Sequence, residues 1–197
     1  ELYDILHSAG IKTIHEISRC RNFDEYKTMS EANFNLVLHQ EARAAAEDFH
    51  ERLKIPFIEL RRLYQTDKIE NQYQAFGSVL GVTFDTTEYR KAAEQAVENF
   101  RKVCPDASFA VGECMNGDPF ELALALLKYG FNVPEIYGTI TVENFVHMKQ
   151  LALLSPTTKV FSNMEPTMIY YEPKESGVNI TIGKDALYYH QDCPGLM

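Results

Sequence analysis

A histidine at the carboxyl end of a predicted strand is the first place where this chain could do chemistry. Asn35-Leu36-Val37-Leu38-His39 reads as a strand, the alanine-rich stretch after it as a helix, and Ile55-Pro56-Phe57-Ile58-Glu59-Leu60 as a second strand. A strand, a crossover helix and a strand imply parallel pairing. In open parallel sheets, ligands collect beyond the carboxyl ends of the strands, where loops and helix N-termini supply unpaired donors. At such a position His39 could ligate a metal or pass a proton, and it could equally cap the helix that follows Gln40-Glu41. A second candidate is the run Gly112-Glu113-Cys114-Met115-Asn116-Gly117-Asp118-Pro119, a glycine-flanked turn from a strand into a helix. Its backbone donors and the helix dipole suit an anionic or carbonyl-bearing ligand. The Gly-x-Gly-x-x-Gly fingerprint is absent, and Glu113 and Asp118 add negative charge, so a dinucleotide pyrophosphate is poorly received and a plain connecting turn is an equal reading. Cys114 lies near that helix N-terminus, which favours thiolate, against the alternative of an ordinary packing cysteine.

The remaining reactive residue types form weaker patterns. His190 stands beside Asp192 and Cys193, which are metal-ligand types without the spacing of a known site, and it reads as part of a solvated terminus. Cys20, Cys104, Cys114 and Cys193 make no Cys-x-x-Cys pair, so they read as free thiols and no metal site is expected from them. The chain has no Walker loop, His-Glu-x-x-His helix, calcium loop or serine-nucleophile elbow.

The elements that must position these residues follow from periodicity. Leu2, Ile5 and Leu6 give a first helix stopped by Gly10, and Ile11 to Ile17 alternates as a half-buried strand would. A short helix around Phe23 to Met29, the strand Asn33 to Leu38, a helix from Glu41 to Leu53 and the strand Phe57 to Leu60 come next. Asp67-Lys68-Ile69-Glu70 has capping-box spacing and opens a helix running to Gly81. Asp85 or Thr86 can cap a further helix with an apolar stripe from Tyr89 through Val97 and Phe100 to Val103. A second series then begins: strand Ser108 to Val111, helix Asp118 to Tyr129 with Gly130 as its stop, and strand Asn132 to Tyr137. It continues through a helix from Thr141 to Leu154, strands Lys159 to Ser162 and Val178 to Ile182, and a closing helix within Gly183 to His190. Asp118-Pro119-Phe120-Glu121 combines a cap, a proline at the first helical position and a returning glutamate. The fold class is therefore α/β, two linked Rossmann-like units with mainly parallel sheets flanked by helices. Residues 1–82 form the first, incomplete at its N-terminus; 83–105 form a connecting helix; 106–197 form the second, truncated at its C-terminus.

The 197 residues are 45% hydrophobic, enough for a real core, and carry a formal net charge of −9 from 28 acidic and 19 basic residues. That balance opposes nucleic acid or an anionic membrane as a partner. No apolar run reaches membrane-span length and no signal peptide is evident, so a cytoplasmic setting is the default. A start without methionine, inside a helix, reads as a piece of a longer polypeptide.

The succession of phrases Ala32-Asn33-Phe34-Asn35-Leu36-Val37-Leu38, Leu53-Lys54-Ile55-Pro56-Phe57, Asp67-Lys68-Ile69, Leu80-Gly81, Phe109-Ala110-Val111-Gly112 and Leu126-Leu127-Lys128-Tyr129-Gly130-Phe131 resembles the middle and late domains of the nitrogenase component 1-type oxidoreductases. The resemblance implies a subunit of Rossmann-like domains that works with a homologous second subunit and an ATP-dependent iron-sulfur reductase. It also implies an iron-sulfur cluster in the full-length protein, with or without a further metal cofactor, held by cysteines outside this fragment; none is expected within it. Where nitrogenase places the cysteine ligand of its cofactor, this chain has Leu38-His39-Gln40. By position His39, Glu113, Cys114 and Asn116 would face the family's substrate or cofactor cavity, His39 acting as ligand or proton donor and the loop orienting substrate. A nitrogenase-like reductase when full length, and inactive as a fragment, is the leading reading. A scaffold or carrier for metal-cofactor assembly and a generic α/β small-molecule binding module are the alternatives.

Overall fold

A computed structural model describes residues 2–113, 117–173 and 175–196. The chain divides into two compact α/β units, one made of Glu1–Arg61 with Asn71–Phe84 and the other of Arg62–Glu70 with Asp85–Met197. Among the described residues no helix is long and apolar enough to cross a membrane.

The first unit holds helix α1 (Leu2–Ser8), the short helix α2 (Phe23–Lys27), strand β1 (Asn35–Val37), helix α3 (Arg43–Leu53) and strand β2 (Phe57–Glu59). Strands β1 and β2 pair in parallel, with Asn35 opposite Phe57 and Val37 opposite Glu59, across the crossover made by α3. The next helix, α4 (Thr66–Leu80), supplies Phe76 to a core with Leu6 and Leu60. Helix α4 starts one residue before Asp67, so Asp67 is not its cap; the Gln65 carbonyl accepts the Ile69 amide and opens the helix. The strand expected over Ile11 to Ile17 is replaced by an irregular segment ending in a 3-10 turn, Ile17–Arg19. Glu16 explains the difference, because its carboxylate takes the Tyr3 and Ser18 hydroxyls, both at 2.5 Å, and the Arg19 guanidinium at 2.8 Å. Ile11 and Ile14 pack onto the core, whereas Ile17 is left exposed.

The second unit is built on a five-stranded parallel sheet. It comprises helix α5 (Thr87–Val103), β3 (Ser108–Val111), α6 (Pro119–Lys128), β4 (Asn132–Gly138), α7 (Phe145–Leu154), β5 (Lys159–Ser162), β6 (Ile180–Ile182), α8 (Lys184–Tyr189) and β7 (Gly195–Leu196). The strand order is β5-β4-β3-β6-β7. The chain therefore starts at the centre, winds outward to β5, returns to β6 and winds the other way, which puts a topological switch point between β3 and β6. Phe109 and Val111 of β3 point into a core with Phe120, Leu124, Val133, Ile136 and Leu151, on the face that α6 and α7 cover. Ala110 points to the opposite face, where Tyr137 and Ala186 bury it.

A bulge in β4 decides what that second face contains. Ser108 pairs with Asn132 and Ala110 with Glu135, so three steps along β4 oppose two along β3. Pro134, which has no N–H to give to a ladder, occupies the irregularity. The extra residue breaks the alternation: Val133 and Ile136 both enter the first core, and Glu135 and Tyr137 go to the other face.

Helix α6 carries a second buried acid. Asp118 caps it as expected, its Oδ1 accepting the Phe120 and Glu121 amides at 2.8 and 3.2 Å. Glu121 is fully buried and turns its carboxylate onto the segment before α4, accepting the Tyr64 amide at 2.8 Å, the Gln65 amide at 3.2 Å and Gln65 Nε2 at 2.8 Å. The Tyr129 hydroxyl completes the latch by donating to the Tyr64 carbonyl at 2.8 Å and accepting the Thr66 amide at 3.3 Å. Glu121→Ala would leave three donors without an acceptor and should lower the unfolding free energy by about 3 kcal/mol, with Glu121→Gln costing less. Urea denaturation of the 197-residue chain measures this, and an unchanged midpoint would contradict the latch.

Candidate functional site

His39 sits in the bend between β1 and a 3-10 turn over Gln40–Ala42. Although it occupies the capping position, its side chain makes no bond to the turn's amides. Its Nδ1 instead meets the Glu41 carboxylate, with the imidazole side chain 38% exposed. A carboxylate on one ring nitrogen fixes the tautomer, which leaves Nε2 as the ring's unengaged polar atom in this pairing.

In the second unit, Glu113 follows β3 at the switch point, while Cys114 and Asn116 lie outside the described residues. Glu113 is exposed and ties neighbouring loops together: its Oε1 accepts the Thr139 amide beyond β4 at 2.8 Å, and its own amide donates to Asp185 Oδ2 at 3.2 Å. The same Asp185 oxygen accepts Asn163 Nδ2, beyond β5, at 3.1 Å. Close backbone approach reinforces these bonds. Gly183 has a φ of +91°, and a Cβ there would lie 2.6 Å from the Glu113 carbonyl oxygen; a Cβ on Gly112 would lie 2.7 Å from the Ala186 amide nitrogen. Only glycine fits either position. The neighbouring N-terminus of α6 is also committed. Burial pushes the Asp118 carboxyl up, but His147, 3.3 Å away, and the two capped amides outweigh it and hold the group below the usual carboxylate range. An anionic ligand at this helix end would have to displace that carboxylate.

A cluster of reactive side chains lies on the other face of the sheet. Glu135, 1% exposed, accepts the Tyr137 hydroxyl at 2.7 Å on Oε2 and the Tyr171 hydroxyl at 3.0 Å on Oε1. Its Oε2 also lies 2.7 Å from His190 Nε2, and the Tyr137 oxygen is 3.3 Å from the same nitrogen. This arrangement keeps the imidazole proton on Nε2. His190 is 8% exposed, so the reading of it as a solvated terminus is wrong. Its partners lie 53 and 55 residues earlier, beyond the reach of any local ligand spacing. The available signal was an acid beside a proline inside an otherwise apolar strand. The three donors supply the hydrogen bonds that a carboxylate needs in a dry interior.

Among the described residues no three His, Cys, Asp or Glu side chains converge as a metal ion would require, and the described cysteines, Cys20, Cys104 and Cys193, are free thiols. These residues do not fit an iron-sulfur cluster, which needs several converging thiolates.

Tyr171 offers a direct check on the buried cluster. Burial, and then the Glu135 carboxylate to which it donates, push its phenol up to about 12. The fold thus favours the neutral phenol, and this contribution to stability is complete below pH 10, the ordinary value, and is lost as pH rises toward about 12. In an alkaline titration followed by phenolate absorbance, Tyr171→Phe should remove one of the late-ionising tyrosines and flatten the loss of stability across that interval. An unaltered titration curve would contradict the geometry.

Comparison with known proteins adds the lineage. No curated protein sequence matches the chain. A solved structure, "Nitrogenase Cp1 at pH 6.5", shares its fold with a TM-score of 0.62 at 17% identity, over 85% of this chain. The chain spans 38% of that structure's chain. Residues 1–193 match the family model of nitrogenase component 1 type oxidoreductases. On the strength of that match, the chain belongs to the nitrogenase component 1 type oxidoreductase family.

Proposed function

We propose that this chain is part of a nitrogenase component 1-like reductase subunit, contributing substrate-facing residues to a longer polypeptide that receives electrons from an iron-sulfur reductase. The family match over residues 1–193 carries this reading. The proposal includes a homologous second subunit, an iron-sulfur cluster bound by cysteines outside this chain, and a cytoplasmic setting. His39 takes the role of proton donor: Glu41 orients the imidazole through Nδ1, and Nε2 passes a proton to the substrate as it is reduced. The Gly112–Gly117 loop, with Glu113, Cys114 and Asn116, takes the role of orienting the substrate through backbone donors, and the bonds that tie Glu113 to the strand ends support it. This division of work supports a reductase in which positioning is backbone-borne and the proton source is a single side chain.

The test uses the full-length parent with its reductase. His39→Ala should lower substrate reduction about 100-fold, the range of a lost general acid, and Glu41→Gln about tenfold through poorer orientation. Iron analysis and electron paramagnetic resonance after anaerobic purification should show a cluster that both variants retain. Unchanged turnover in His39→Ala would remove the proton-donor role. A cluster-containing parent that never turns over with a reductase would favour a cofactor-assembly scaffold, and a parent without iron would favour a ligand-binding relative.

A further inference from the structure

Beside β5, on the face opposite α7, the second unit has a cleft of about 500 Å³, within the size range of small-molecule sites. Its walls include Ile140, Phe161, Met168, Tyr170 and Tyr171, with Glu165 at its edge. Two observations distinguish it from an incidental groove. The first is that two of its aromatic walls, Phe161 and Tyr171, are already held in place. Tyr189 stacks on Tyr137 with centroids 4.8 Å apart and planes 12° apart, and Tyr137 stacks on Phe161 at 5.1 Å and 17°. Phe161 is the last ring of this three-membered stack and forms part of the cleft wall. Tyr171 lies 4.5 Å from Phe161, and its hydroxyl is pinned by Glu135 Oε1. A flat ring entering here meets Phe161 and Tyr171 walls that lose little freedom on binding.

The second observation is electrostatic. Among the described residues lining the cleft, Glu165 is the one charged side chain; there is no Lys, Arg or His. Aromatic faces are also negative, so the ring walls and the carboxylate favour the same sign of ligand. We propose that this cleft is a binding site for a planar aromatic cation, its ring against Phe161 with Tyr171 as a side wall and its positive charge facing Glu165 and the Tyr170 ring. The site uses no residue assigned to substrate reduction and stands whether or not that assignment holds.

Proflavine, a planar aromatic cation, is a suitable probe, and naphthalene-2-sulfonate is a planar aromatic anion for comparison. A chain with a net charge of −9 attracts any cation loosely, so stoichiometry and variants decide the matter. Fluorescence titration of the 197-residue chain should give saturable 1:1 binding of proflavine and much weaker binding of the sulfonate. Tyr170 is 81% exposed, so Tyr170→Ala should leave the fold intact and weaken binding about tenfold. Glu165→Gln, which keeps an acceptor for the Thr167 amide, should weaken it about threefold and reduce its dependence on salt. Tyr89→Ala, at an exposed tyrosine of α5 that does not line the cleft, should bind as the unaltered chain does. The proposal is overturned by non-saturable binding, by equal affinity for the sulfonate, or by Tyr170→Ala and Glu165→Gln both binding normally.

Discussion

A carboxylate removed from water must be supplied with donors, and the second unit meets that demand twice, once on each face of its sheet. Glu121 faces the segment before α4 and takes two backbone amides and a side-chain amide from Tyr64 and Gln65. Glu135 faces the other way and takes two phenols and an imidazole. Each acid gathers parts of the chain that are more than thirty residues away, so each works as a specification as well as a load. Apolar packing alone would tolerate several placements of residues 62–70 or of Tyr171, whereas a buried acid tolerates only those that deliver its donors. The bulge at Pro134 is what makes the second set possible, because without the extra residue Glu135 would share a face with Val133 in the main core.

The switch point of the sheet shows a related economy of space. In doubly wound sheets this crevice is open and receives ligands. Here Gly112 and Gly183 bring the two loops into contact, and Glu113 and Asp185 tie them to the ends of β4 and β5. The loop that follows Glu113 is thus anchored firmly at its start.

Much of the architecture was legible because it is written locally. Strands β3 and β5 coincide with their expected spans, and α6 begins where Asp118-Pro119 says it must. The failures have common causes. Ile11 to Ile17 alternates like a strand, but Glu16 gathers its neighbours into a turn. Asp67 and Glu70 have the spacing of a capping box, yet the helix starts one residue earlier, at Thr66. Glu121 read as the returning half of a capping box, whereas its partners lie 56 and 57 residues away. His39 and Glu113 were legible as residues at strand ends. Glu135 and His190 were not, because their relation exists only once β4 and α8 are folded together, and no spacing rule reaches across that separation.

One consequence concerns how the protein is made. Synthesis runs from β3 through β4 to β5, so one half of the second sheet can assemble as it leaves the ribosome. Glu135 is present from that stage, but its imidazole partner arrives only with residue 190, and its Tyr171 donor only shortly before. Until then a nascent half-sheet carries a carboxylate in a position that is dry in the finished fold. Two of that carboxylate's three donors therefore come after β5, and the face is complete only once α8 has folded onto it.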